Sequence, residues 1–193
     1  MPLPKVKAGL AAAAAPGFVL ERSEVMPALI GRHEDFLFVT GLGGSASDVG
    51  AVTGDGAHVY SLGGAMGAAC MIGLGLALAR PDKRVLVVTG DGELLMNIGA
   101  LATIAVMNPA NLSILCVDNG HYGETGWQKS HTSLGVDLEK MAIGAGIKRT
   151  RTVAAAFQAQ RQCSAARRAI PRREQGHASR EAGADQRLEV AGE

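Results

Sequence analysis

Aromatic side chains are scarce in this chain: four Phe, two Tyr and one Trp make up 4% of its 193 residues. The C-terminal arginines are not interleaved with aromatics, which argues against a base-stacking nucleic-acid surface. Cysteines are equally few and scattered, at Cys70, Cys116 and Cys163. They offer neither a zinc spacing nor a disulfide framework, and a reducing cytoplasm is the expected setting. Charge of one sign is lacking too. The formal net charge is +1, so no global field draws the chain to nucleic acid or to a membrane surface. One stretch, Ser61–Ala79, carries no charge for 19 residues. Glycines at 63, 64, 67, 73 and 75 weaken it as a membrane span. It divides better into a short strand, His58–Leu62, and a buried helix, Gly67–Ala79. Lys5 and Lys7 ahead of the alanine run at 11–15 make too feeble a signal peptide. Residues 1–17 are expected to be an N-terminal extension.

What the chain has in quantity is glycine, 26 residues, placed where α/β folds put ligand loops. The length suits one α/β domain. The apolar run Val85–Val88 has the character of a buried parallel strand. It ends at Gly90-Asp91-Gly92. A helical pattern follows from about Leu94 to Met107 and is stopped by Asn108-Pro109. A second buried strand, Ser113–Val117, ends at Asp118-Asn119-Gly120. A right-handed crossover makes the two strands parallel and, if they are neighbours, puts both polar clusters on one sheet edge, the edge where open α/β sheets bind ligands. Asp91 is a hard oxygen ligand, Asn119 a neutral one, and the turn at His121 can add a main-chain carbonyl. Such a set suits Mg²⁺. The helix start after Gly92 aims N–H groups at the same place, as a diphosphate would require.

Upstream, Arg22–Ile30 predicts a helix with Ser23 as its cap and Pro27 near its first turn. A buried strand, Asp35–Thr40, feeds a glycine and hydroxyl loop from Gly41 through Ser45 and Ser47 to Asp48, which suits either a phosphate or a helix cap. Downstream, Asp118 to Gln128 is expected to be a mobile covering loop. Tyr122, Glu124, Thr125, Gln128, His131 and Thr132 are polar candidates within or beside it, although His131 is expected to face solvent. Trp127 is expected to pack or sit at an interface rather than serve as a stacking platform. His33 and His58 show no partner pattern. Val136–Ile143 predicts an amphipathic helix started by Asp137.

The GDG turn, followed after a helix and a strand by Asp118-Asn119, resembles the diphosphate-binding domain of thiamine diphosphate enzymes. The run from Gly92 to Gly126, with SHTS and VDLEKMA after it, is similar to sulfopyruvate decarboxylase β subunits and to the matching part of phosphonopyruvate decarboxylases. The resemblance implies a three-layer α/β sandwich with a parallel central sheet. It implies thiamine diphosphate bound by Gly41, Ser45, Gly64, Met66, Gly90, Asp91, Gly92, Glu93, Leu94, Asn119, His121 and Tyr122. It also implies Mg²⁺ on Asp91, Asn119 and the His121 carbonyl. Met66 would be the apolar wedge that bends the cofactor, although Ala65 stands where relatives often have Ser. Glu93 would turn its carboxylate away from the diphosphate and bind through its backbone N–H. The implied reaction splits a small 2-oxo acid into CO₂ and an aldehyde. Its activating glutamate belongs to a pyrimidine-binding domain of about 150 residues, expected on a partner subunit of a hetero-oligomer. Other activities of this superfamily are a 2-oxo acid oxidoreductase β subunit and an acetolactate synthase-like carboligase. An inactive remnant is the non-enzyme alternative.

Residues 18–153 carry the resemblance. From Lys148 onward there are 10 Lys and Arg against 5 Asp and Glu, which leaves 9 against 13 before it. The periodic apolar pattern fades after Phe157, and no strand is expected beyond it. Residues 154–193 are therefore expected to be a basic disordered arm or the product of an altered reading frame.

Overall fold

A computed structural model describes residues 20–153 together with the backbone of residues 187–192. The expected N-terminal extension, Cys163 and most of the basic tail lie outside the described residues. In chain order the elements are α1 (Arg22–Ile30), β1 (Phe36–Thr40), α2 (Gly44–Thr53), β2 (Val59–Ser61), α3 (Ala69–Ala79), β3 (Arg84–Gly90), α4 (Asp91–Met96), α5 (Ala100–Met107), β4 (Leu112–Asp118), β5 (His121–Tyr122), β6 (Gln128–Lys129), α6 (Leu138–Ala145), β7 (Arg149–Val153) and β8 (Arg187–Gly192).

Six strands form one sheet in the order β2-β1-β3-β4-β8-β7, and every pairing in it is parallel. Successive side chains of a strand go to opposite faces, and here both faces are buried. Val39, Val85, Val87, Ile114 and Cys116 pack against α3, α5 and α6. Phe38, Leu86, Val88, Leu115 and Val117 pack against α1 and α2. This gives the expected three layers, and it explains why β3 and β4 show no polar alternation. From β1 the chain passes to β2 on one side and then to β3 on the other. Such a switch in strand order opens a crevice at the carboxyl ends of the strands.

Several elements differ from expectation. The single helix after the GDG turn is two helices. Asn97 leaves the helical region at φ −140° and ψ 50°, and its side chain donates to the Gly67 carbonyl at 3.0 Å, so a tertiary bond outcompetes helix continuation. Ser23 is not a cap: α1 starts from Glu21, and the Ser23 hydroxyl donates to the Glu21 carboxylate at 3.1 Å. Most of the expected Gly41–Asp48 loop is helical, since α2 starts at Gly44. The covering loop contains a small hairpin, β5 against β6. His33 and His58 are each other's partners, with ring nitrogens 3.1 Å apart and rings stacked at 5.3 Å.

The tail contains a strand where none was expected. β8 inserts between β4 and β7, pairing Ser113 with Arg187 through Asp118 with Gly192. A strand bonded on both sides is held by its backbone ladder and does not need a continuous apolar run. The expected helix around Asp137 is present as α6, with the Asp137 carboxylate accepting from the Lys140 N–H. Among the described residues no helix is long and apolar enough to cross a membrane.

Candidate functional site

The ends of β1, β3 and β4 meet at one cleft of about 330 Å³. The register brings them together: Thr40 pairs with Val88, and Gly90 with Val117. Leu42, Gly43, Gly44 and Ser45 form the wall after β1. Gly90, Asp91, Gly92 and Glu93 form the wall after β3. Val117, Asn119, His121 and Tyr122 form the wall after β4, and Met66 and Trp127 close the sides. The two polar clusters therefore share one sheet edge, as the crossover rule requires.

Asp91 is buried. Ser130, fully buried, donates its hydroxyl to Asp91 Oδ2. Thr132 Oγ1 lies 3.2 Å from the same oxygen and 2.7 Å from Asp118 Oδ1. A threonine hydroxyl has one hydrogen to give, and Asp118 is the nearer acceptor. Asp118 Oδ1 also takes the Gly120 N–H at 3.0 Å. Burial raises the Asp118 pKa above the usual carboxylate range, and the Asp91 charge adds to this against the bond from Thr132. Two acidic groups are thus held side by side at the strand ends. Asn119 Oδ1 accepts the His121 N–H at 2.9 Å, which keeps one lone pair of that oxygen for another partner.

The covering loop is anchored by its own contacts. His121 Nδ1 lies 2.9 Å from the Asn119 carbonyl. Its ring stacks on Trp127 with centroids 5.3 Å apart. Trp127 holds the left-handed value φ +62°, uncommon for a bulky residue, and is 62% exposed. Its stack on His121 is the packing role expected of it. The Tyr122 ring lies against Gly92. His131 is exposed, as expected.

Of the residues singled out in the sequence, Ser45, Met66, Gly90, Asp91, Gly92, Glu93, Asn119, His121 and Tyr122 line the cleft; Gly41, Gly64 and Leu94 do not. Leu94 packs in the core under α4. Gly64 is exposed with open space beside it. The space beside Gly41 is taken by the Glu93 carboxylate. Two residues that the sequence reading gave no role stand out: Ser130, which orients Asp91, and Arg22. Glu124, one of the polar candidates, lines the rim. Among the described residues that line the cleft, Arg22 is the one Lys or Arg; its Nε is 2.8 Å from Asp48 Oδ2, so an ion pair with α2 holds it in place. Among the described residues no group of three His, Cys, Asp or Glu side chains is placed to hold a metal. The donor set at Asp91 is of a different kind, with one carboxylate, one amide oxygen and a main-chain carbonyl.

Comparison with known proteins points the same way. Residues 55–176 match the family described as thiamine pyrophosphate enzyme, C-terminal TPP binding domain. Sulfopyruvate decarboxylase subunit beta of Methanocaldococcus jannaschii is 52% identical over 84 residues, 44% of this chain and 44% of the relative. The protein of the same name from Methanothermobacter thermautotrophicus is 40% identical over 128 residues, 66% of this chain and 68% of the relative. The chain thus spans less than half of the first relative and about two thirds of the second. Among solved structures, the thiamine diphosphate-dependent 4-hydroxybenzoylformate decarboxylase of Rhodococcus jostii superposes with a TM-score of 0.67 at 23% identity, over 93% of this chain and 34% of that one, a likeness of fold.

Proposed function

Because the chain belongs to the thiamine pyrophosphate enzyme family by its C-terminal TPP binding domain, we propose that it is the cofactor-holding subunit of a 2-oxo acid decarboxylase, acting on sulfopyruvate, phosphonopyruvate or a similar acid with an anionic head. The observation that carries this reading is the cleft at the strand switch, where Asp91 is buried and pre-oriented by Ser130. Among the described lining residues the carboxylates of Asp91 and Glu124 face one cationic Lys or Arg, Arg22, which is itself paired with Asp48. A diphosphate would be repelled by that balance unless a divalent cation came with it. Hard oxygens fit Mg²⁺. Asp91, Asn119 Oδ1 and the His121 carbonyl would hold it. Gly90, Gly92, Glu93 and Ser45 would hold the diphosphate, Met66 would set the angle between the rings, and Tyr122 would close the loop over them.

When bound, thiamine diphosphate supplies the electron sink for the departing carboxylate. The work of this chain is to bind, orient and exclude water. The activating glutamate would come from a partner subunit with a pyrimidine-binding domain, in a cytoplasmic hetero-oligomer. Residues 18–153 would be the cofactor domain, which β8 extends beyond 153. The surface supports a partner: α3 and α5 contain no charged residue, yet Leu78 is 46% and Val106 83% exposed. Patches of this kind mark protein–protein contacts. Cys70 and Cys116 lie in the core, where neither thiol can serve an iron–sulfur cluster, which favours a decarboxylase over an oxidoreductase subunit.

The test is Asp91→Ala in the complex recovered from the native cell. Mg²⁺-dependent binding of thiamine diphosphate should be lost, as read by calorimetry. Unchanged affinity would refute the metal site. Clear turnover by the isolated single chain would refute the need for a partner.

A further inference from the structure

Holding a cofactor would use the backbone of Glu93 and leave its carboxylate without a task. That carboxylate is one of the most enclosed polar groups of the chain, at 4% exposure for the residue. Thr89 Oγ1 donates to its Oε2 at 2.8 Å. Its other oxygen, Oε1, is sealed from solvent without a close hydrogen bond. Burial pushes the Glu93 pKa up, against the bond from Thr89 and lesser pulls from neighbouring backbone N–H groups.

One glycine records how tightly the group is fitted. A Cβ on Gly41 would overlap the Glu93 carboxylate, so a side chain there is excluded by Glu93 itself. Gly67 has φ +84°, and a Cβ on it would lie 3.0 Å from Asn97 Cβ. Asn97, the residue after α4, donates its Nδ2 hydrogen to the Gly67 carbonyl at 3.0 Å. The two ends of α4 thus meet different turns, Glu93 the one at Gly41 and Asn97 the one that carries Met66.

We propose that Glu93 is a positioning residue. Its buried carboxylate pins the Gly41–Leu42 turn to the start of α4, so that the cleft walls after β1 and β3 hold one geometry before any ligand arrives. The purpose of this pin rests on the cofactor-holding reading; the pin itself is a property of the free chain.

Hydrogen exchange on the full chain without ligand tests it. In Glu93→Ala, amides in residues 41–45 should exchange about tenfold faster or more, while residues 64–68, held by Asn97, and β4 keep their protection. Glu93→Gln, which keeps the size and the acceptor for Thr89, should fall between. Residues 41–45 as protected as in the unaltered chain would overturn the proposal. So would faster exchange spread evenly over β3 and β4, the mark of a general loss of stability. Gly41→Ala supplies an independent arm. It should lower the urea midpoint strongly when Glu93 is present and little when it is added to Glu93→Ala. Equal costs in both backgrounds would overturn the fitted contact. Loops that loosen as expected in a complex that binds no thiamine diphosphate would keep the pin and sink the cofactor reading.

Discussion

Ser130→Ala isolates the contact that orients Asp91. Ser130 is fully buried and its hydroxyl donates to Asp91 Oδ2. The substitution removes one oxygen and creates almost no cavity, so the cost is that of a hydrogen bond to a charged group, about 1.5–3 kcal/mol. Relaxation cannot erase it. Thr132 Oγ1, 3.2 Å from the same oxygen, can swing its hydrogen to Asp91, but only by giving up Asp118 at 2.7 Å. One charged acceptor loses a donor either way. With a urea slope of about 2 kcal/mol per molar for a domain of this size, the midpoint should fall by about 1 M. The assay is urea unfolding at pH 7, with the exposed Ser47→Ala as a control that should move little. Ser130 and Thr132 also share a hydroxyl–hydroxyl contact at 2.9 Å, so Ser130→Ala and Thr132→Ala should be coupled, the double variant departing from the sum by about 0.5 kcal/mol or more. A loss under about 0.5 kcal/mol in Ser130→Ala, below the range for such bonds, would refute the claim that Ser130 holds Asp91.

Further outcomes follow from packing and titration. A Cβ on Gly73 of α3 would overlap Val87 Cγ2 of β3. Gly73→Ala should cost about 1–3 kcal/mol by overpacking, and Val87→Ala should recover part of it; thermal unfolding of the two singles and the double measures this. Burial, with a smaller push from the charge of Glu93, takes the Cys70 thiol up to about 12, and burial also pushes Cys116 up. A raised thiol pKa gives stability that is complete below the ordinary thiol range near 8.5 and is lost as pH climbs toward the folded value. Urea midpoints should therefore drop between pH 9 and 11, and a thiol reagent at pH 8 should label neither cysteine until denaturant is added. Asp137→Ala should cost about 1 kcal/mol by removing the cap of α6, with Asp137→Asn close to neutral, as read in the same unfolding assay.

Much of this architecture was legible because it depends on residues close in sequence. The apolar runs of β3 and β4, the glycines around Asp91 and the Asn108-Pro109 stop each act over a few residues, and the crossover rule then determines which ends share an edge. The breaks came where distant parts compete. Asn97 is an acceptable helix residue by propensity, and only the Gly67 carbonyl, 30 residues earlier in the chain, gives it reason to end α4. β8 has no signal of its own because its pairing with β4 and β7 is a property of three segments.

The site divides along the same line. Asp91 and Asn119 announce themselves because each sits in a turn at a strand end, where a polar residue beside glycine is hard to explain by packing. Ser130 and Arg22 do not: Ser130 opens the SHTS run, which carries a resemblance but assigns the serine no role, and Arg22 lies outside any motif, an ordinary surface residue until the fold encloses it. What the fold adds is orientation. Ser130 lies 39 residues beyond Asp91, yet its hydroxyl lands on one carboxylate oxygen. Arg22 lies 26 residues before Asp48, yet their ion pair at 2.8 Å sets an arginine beside the cleft. Glu93 shows why chemistry cannot be read from residue type alone. An acid one residue past a candidate diphosphate turn looks like repulsion, and at 4 Å two like charges repel by about 1 kcal/mol even in water. Turned inward, onto Thr89 and against Gly41, the same acid becomes part of the wall that the turn is built on.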